Sequence, residues 1–293
     1  MGPLIVEVSR GPIVEARHVV HAVVVRDGRL ELEWGDHSLV AFLRSSAKPI
    51  LALPLARGRP DFDDEQIALA CASHLGRPEQ VTVVRRMLAD APASEVDLEC
   101  GLAPTSIEHT CSGKHAGFLA LCRANGWPTA GYSAARHPCQ RAMLHEVAAA
   151  AEVDPDSLPV GIDGCGVPTF ALSLERAAQA FARVPTLEGG QRVIRAMRAN
   201  PELLRGPVAA DAIAMRTLTG WFAKGGAEGL FCAGSADGLG VALKVEDGSF
   251  RPIRAALAAV LRRLGVEPGE VDETEVRSSR AELVGGIRVS SSR

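Results

Sequence analysis

The chain has 293 residues, 47% of them hydrophobic, with 32 basic and 35 acidic side chains for a net charge of −3. That is enough apolar material for a packed core in one large domain or two coupled lobes. The charges are mixed along the chain with no polybasic stripe, and aromatics make up only 4%, with Tyr132 the single tyrosine. This argues against a nucleic-acid reader that works by stacking and favours a small uncharged or zwitterionic substrate.

Residues 1–10 lack the charged, apolar, small-residue order of a signal peptide. No apolar run approaches the ~20 residues of a membrane helix. The expectation is a cytoplasmic protein with no membrane or nucleic-acid partner. The seven cysteines, an odd number, favour free thiols or metal ligands over a disulfide framework.

In chain order, residues 4–8 read as a strand. Residues 18–25 form a β-branched run, and Asp27-Gly28 separates it from an alternating run at 30–34, a hairpin signal. A short apolar strand at 39–43 delivers the chain to Arg44, and a helix is expected from there to about residue 55, with Pro49 in its first turn. From 63 to about 200 the pattern is mainly helical. Asp63 to Gln66 reads as a capping box opening a helix through about residue 74. Further helices are expected at 78–89, 110–125, 137–153, 173–184 and 191–199, with an extended segment at 158–163. The last third returns to strands at 221–224, 230–233 and 239–245, then a helix at 252–264. Residues 267–283 read as a polar tail on the surface. Strands at both chain ends around inserted helices predict an α+β fold, a largely antiparallel sheet with a helical lobe beside it. The sheet is expected from about 1–44 and 205–290, the lobe from about 45–204, and one compact domain over 1–293.

Ser45 and Lys48 form an S-x-x-K pair, close to one helical turn apart and so on one face. A neutral lysine there can take the serine proton and make the hydroxyl a nucleophile. Of the 32 basic residues only Lys48, Lys114, Lys224 and Lys244 are lysines. Arginine cannot be deprotonated in a protein, so a chain that otherwise uses arginine has kept few amines that can act as bases or ligands. Burial and mutual charge would bring Lys48, Lys114 and Lys224 toward neutrality in one pocket, leaving Lys244 as a surface lysine. Cys71-Ala72-Ser73-His74 offers a second serine, and Lys224-Gly225-Gly226 a lysine at a strand end. Cys111 lies three residues from Lys114 and four from His115, and Cys165 stands between glycines. Two thiolates and a nitrogen donor would suit zinc; by spacing the third ligand is His115.

The segments 44–49, 71–74, 108–117, 161–166 and 224–229 together resemble those of the Rhizobium-type (class 3) L-asparaginases, in matching order over nearly the whole chain. The resemblance implies a serine β-lactamase-like fold, hydrolysis of L-asparagine and a homodimer. It implies Ser45 as nucleophile with Lys48 as base, and Ser73 with Lys224 as a second hydroxyl–amine pair. It implies zinc (Zn2+) on Cys111, Lys114 and Cys165, and substrate contacts from Arg44, Asp163 and His115. Against the wider fold, Gly225 stands where a threonine is usual. Three other readings stand beside it: a glutaminase or another serine acyl-transfer enzyme of this fold, a zinc-binding module without turnover, and a cysteine amidase using Cys111 and His115.

Overall fold

The computed structural model describes residues 1–102, 104–272 and 274–290; the expected domain limit at 293 lies outside them. The strands are β1 (Leu4–Arg10), β2 (Ile13–Arg26), β3 (Arg29–Trp34), β4 (Val40–Phe42), β5 (Val160–Ile162), β6 (Pro168–Ser173), β7 (Trp221–Gly225), β8 (Leu230–Ser235), β9 (Leu239–Val245), β10 (Glu275–Arg277) and β11 (Leu283–Val289). The α-helices are α1 (Lys48–Leu51), α2 (Leu53–Gly58), α3 (Asp64–Ala70), α4 (Pro78–Asp90), α5 (Ser112–Ala124), α6 (Pro138–Ala151), α7 (Leu174–Arg183), α8 (Gly190–Ala199), α9 (Pro201–Leu204), α10 (Ala210–Thr217) and α11 (Ile253–Arg263).

The main sheet runs β10-β11-β1-β2-β9-β8-β7, with β3 also paired to β2. All its ladders are antiparallel. Both chain ends therefore supply it, and the helices between them form the lobe, as the placement of the strand patterns predicts. The β2–β3 hairpin turns at Asp27 and Gly28, whose φ values of 49° and 76° are the left-handed pair that an Asp-Gly turn accommodates. The polar tail does more than cover the surface: β10 and β11 extend the sheet beyond β1.

Buried apolar residues fall into two clusters. One fills the helical lobe around Ile67, Leu69, Leu119 and Phe181 and reaches the sheet at Val23 and Phe222. The other lies between the sheet and α11, around Val24, Val241, Leu257 and Leu261. The small side chains of α7 let it lie close on β9: a Cβ on Gly240 would stand 1.9 Å from Ala178 O. A core of Ala, Val and Leu gives close backbone packing of this kind with few aromatic rings.

Three local differences from the sequence expectation bear on the site. The helix after Arg44 is a 3-10 turn, Arg44–Ala47, followed by the short α1 and α2. The capping box on Asp63 is present, but α3 stops at Ala70, so Ser73 lies beyond the helix and its N–H bonds Leu204 O at 2.7 Å. An unforeseen β6 joins β4 and β5 into a second, three-stranded sheet that carries the Arg44 and Asp163 segments.

Candidate active site

Leu43 ends the short strand arm, its N–H bonded to Phe170 O at 2.9 Å. The chain then turns sharply. Arg44 adopts φ 49°, a left-handed backbone that a non-glycine residue holds only when its surroundings enforce it. Its N–H bonds Thr169 Oγ1 at 3.1 Å, and its Nε bonds Asp163 Oδ1 at 2.5 Å. The second strand-end segment closes on this turn: a Cβ on Gly226 would stand 2.7 Å from Ser46 Oγ and 2.9 Å from Leu43 O. Glycine is required there so that the two backbones can touch. Ser46 Oγ completes the junction by donating to Lys224 O at 3.1 Å.

A cavity of about 450 Å³ opens at this junction, and Arg44, Ser45, Ser73, Cys111, Asp163 and Cys165 all line it. The segments that the sequence singled out are thus brought together from five places in the chain. Lys48, Lys114 and Lys224 are buried, at 1%, 4% and 0% exposure, while Lys244 is half-buried. Lys48 Nζ donates to Ala72 O and, at 3.1 Å, to Ser73 Oγ. Among the described residues Ser45 Oγ makes no hydrogen bond. The base expected for Ser45 is therefore joined to the second serine. Ser73 and Lys224, expected as a pair, are each bonded elsewhere: Lys224 Nζ donates to Gly225 O at 2.7 Å and meets Asp211 Oδ2 at 3.5 Å.

Asp211 is a site residue that sequence reading missed. It sits in the first turn of α10, a helix that short polar-apolar alternation did not announce. It is 3% exposed, and its Oδ2 also accepts from Gly225 N at 3.3 Å. Burial lowers the Lys224 amine to about 8; Asp211 opposes that shift, and the Lys48 and Arg205 charges add to it. Burial likewise pulls Lys48 below its ordinary value.

Cys111 and Cys165 form a hydrogen-bonded thiol pair. The bond from Cys165 holds Cys111 well below the ordinary thiol range, against burial and with help from the Lys48 and Lys114 charges. The same bond, with burial, pushes Cys165 up. Lys114 Nζ donates to Cys165 Sγ at 3.0 Å and lies 3.9 Å from Asp163 Oδ2. Lys114 stands in different surroundings from the other two buried amines. Burial lowers Lys114, but Cys111, Cys165 and Asp163 outweigh it and leave its pKa raised. The lysines do not all face one another: Lys114 faces sulfur and carboxylate.

His115, the spacing choice for a third ligand, is fully buried behind the wall. Its Nδ1 bonds Tyr132 Oη at 2.8 Å, and that hydroxyl accepts Glu99 N–H at 2.8 Å. Burial keeps the ring neutral, well below the usual histidine value. Among the described residues no group of three or more His, Cys, Asp and Glu side chains is placed to hold a metal. A donor set of two thiols and an amine falls outside that count, and here its members are already within bonding contact. Two other histidines support the wall. His109 Nδ1 accepts Cys111 N–H at 3.1 Å. His74 is pushed down to about 4, chiefly by burial, and so donates as a neutral ring to Ser112 Oγ at 2.7 Å.

The chain matches the family model described as L-asparaginase II over residues 6–289. The chain belongs to the L-asparaginase II family. Membership makes it an enzyme, an amidohydrolase acting on amide C–N bonds of a small-molecule substrate. A comparison with curated proteins gives no match. Among solved structures the chain is similar to one described as a "putative beta-lactamase from Bacteroides dorei", at 14% identity and a TM-score of 0.45, covering 76% of this chain and 84% of that one. Among the described residues, no helix is long and apolar enough to cross a membrane.

Proposed function

We propose that this family member is an L-asparaginase of the Rhizobium-type, class 3 kind, hydrolysing L-asparagine to L-aspartate and ammonia through an acyl-enzyme on Ser45. The observation that carries the reading is the 3.1 Å bond between Lys48 Nζ and Ser73 Oγ, in a cavity wall that Ser45 shares. A serine on the wall, a buried amine three residues away and a second hydroxyl on that amine are the parts of a proton relay.

In this reading the substrate ammonium lies toward Asp163 and its carboxylate toward Arg44. Ser45 Oγ attacks the side-chain carbonyl and Lys48 takes its proton. The backbone N–H groups of the turn stabilise the oxyanion. The Lys48–Ser73 bond returns the proton to the departing ammonia, and Lys224, poised by Asp211, sets the charge behind them. Water then hydrolyses the aspartyl ester. Catalytic hydrogen bonds often tighten only when substrate binds, which is the expected route for Ser45 Oγ to reach its base.

Cys111, Lys114 and Cys165 have the chemistry to hold a zinc ion once their protons are displaced. When bound, zinc would supply positive charge that orients the substrate. The rest of the proposal is one domain over 1–293, a homodimer and a cytoplasmic location.

A cavity of about 450 Å³ also has room for one further methylene, which favours glutamine as the second substrate to try. Ammonia release from asparagine and from glutamine, beside a chromogenic β-lactam, tests the reading. Asparagine turned over fastest supports it; turnover of the β-lactam alone rejects it.

A further inference from the structure

If Ser73 hands the proton to the departing nitrogen, its side of the cavity is the leaving-group side. The Ser73 N–H donates to Leu204 O at 2.7 Å. Arg205 is the next residue, at the end of α9, and it lines the same cavity as Ser73. The α9 end and the Ser73 turn are therefore one stretch of wall. Arg205 is exposed, and among the described residues its guanidinium makes no hydrogen bond and no ion pair. It stands 5.8 Å from the Phe250 ring centroid.

The other charged groups of the cavity lie elsewhere. Arg44 and Asp163 bond each other beside Thr169 of β6. The second carboxylate on the wall, Glu228, sits in the turn between β7 and β8. It lies against Gly248, where an added Cβ would stand 3.0 Å from Glu228 Oε2. Apolar surface flanks the free guanidinium. Leu75, two residues past Ser73, lines the cavity and is 58% exposed, and Phe250 is half-buried beside Arg205. Asparagine releases ammonia, which needs neither a cation nor an apolar wall. A cavity of about 450 Å³ is also in the range that holds ligands larger than one amino acid.

We propose that this enzyme also cleaves β-aspartyl dipeptides whose second residue is apolar. The inference rests on the acyl-enzyme reading of Ser45, with the aspartyl head on the Arg44–Asp163 side. Ser45 Oγ bonds the β-carbonyl carbon and the C–N bond to the second residue breaks. The Lys48–Ser73 pair delivers the serine proton to the departing nitrogen. The second amino acid leaves with its carboxylate on the Arg205 fork and its side chain over Leu75 and Phe250. Water then hydrolyses the same aspartyl ester that asparagine gives, so aspartate is the common product.

Aspartate formation by full-length protein from L-asparagine, β-aspartyl-leucine and β-aspartyl-leucinamide tests it, with Ser45→Ala as the blank. Wild type should hydrolyse β-aspartyl-leucine with kcat/KM about tenfold above that of the leucinamide, which lacks the carboxylate. Arg205→Gln should bring those two substrates within about twofold of each other, because the charge they differ in meeting is gone. Arg205→Lys should keep part of the preference. The readout is a ratio between two substrates, so any effect of the variant on Ser45 chemistry itself cancels. Hydrolysis of asparagine without β-aspartyl-leucine would overturn this inference alone, and hydrolysis of neither would take the Ser45 reading with it. Equal kcat/KM for acid and amide in the wild type, or a preference that survives Arg205→Gln, would also overturn the proposal.

Discussion

Lys48, from the S-x-x-K turn, hydrogen-bonds Ser73 Oγ at 3.1 Å. The contact joins residues 25 apart in sequence. It gives the second serine a defined partner, and it makes Lys48 the amine through which both serines would act. Ser73→Ala should then lower kcat for asparagine by ~10²-fold or more while changing KM little, because a proton relay acts in the transition state. A Ser73→Ala enzyme with unchanged kcat would remove Ser73 from the relay.

Lys48→Arg keeps the charge but cannot accept a proton. It should be nearly as inactive as a Ser45 deletion of the hydroxyl. Single-turnover ammonia release at pH 8 measures this, and near-normal activity would exclude Lys48 as the base.

Burial brings Lys224 down to about 8. If the neutral amine is the working form, kcat/KM should rise with pH through about 8 and level off above it. Asp211 opposes the lowering, so Asp211→Asn should drop the Lys224 pKa further and move that rising limb to lower pH. The stability sign follows from the same shift. Between about 8 and the ordinary value of 10.5, the unfolded chain binds the proton that the folded chain lacks. The Lys224 contribution to stability therefore rises with pH across that window. Comparing urea unfolding of wild type and Lys224→Met at several pH values isolates it. A limb that stays in place in Asp211→Asn would uncouple the two residues.

The paired thiols and Lys114 predict about one zinc per chain in protein prepared without chelator. Cys111→Ser or Cys165→Ser should lower occupancy, and chelation should raise KM more than it lowers kcat. Metal analysis finding no zinc in the wild type would take the ion out of the account.

Gly226→Ala tests the junction beneath the site. Its Cβ would fall 2.7 Å from Ser46 Oγ and 2.9 Å from Leu43 O. Overpacking of this kind costs ~1–3 kcal/mol. Thermal unfolding should show a lower Tm, with activity falling as the Arg44 turn is displaced; an unchanged Tm would mean that the junction has slack.

Periodicity and turn chemistry made most of the scaffold legible. Asp27-Gly28 specified its hairpin, and β-branched runs marked the central strands. The S-x-x-K spacing pointed to Ser45, and the rarity of lysine pointed to Lys48, Lys114 and Lys224, three side chains that are all buried. What the sequence hid was partnership. Nothing local says that Lys48 meets Ser73, or that Asp211 stands behind Lys224, because those contacts are made by chain crossings rather than spacing. The raised Lys114 is of the same kind: the count of amines gave no warning that two thiols and Asp163 would surround this one. His115 shows the reverse error. Its spacing from Cys111 suited a ligand, yet an aromatic pocket with Tyr132 and Phe118 took the ring instead.

The central claim is that Ser45 is the nucleophile of an asparagine amidohydrolase. Its hydroxyl makes no hydrogen bond among the described residues, so Ser45→Ala removes one oxygen without breaking a structural contact. The most direct measurement is ammonia release from L-asparagine by wild type and Ser45→Ala under identical conditions, with circular dichroism on both. The account predicts turnover by the wild type and none above background by a fully folded Ser45→Ala. Comparable ammonia release from the two proteins would contradict it.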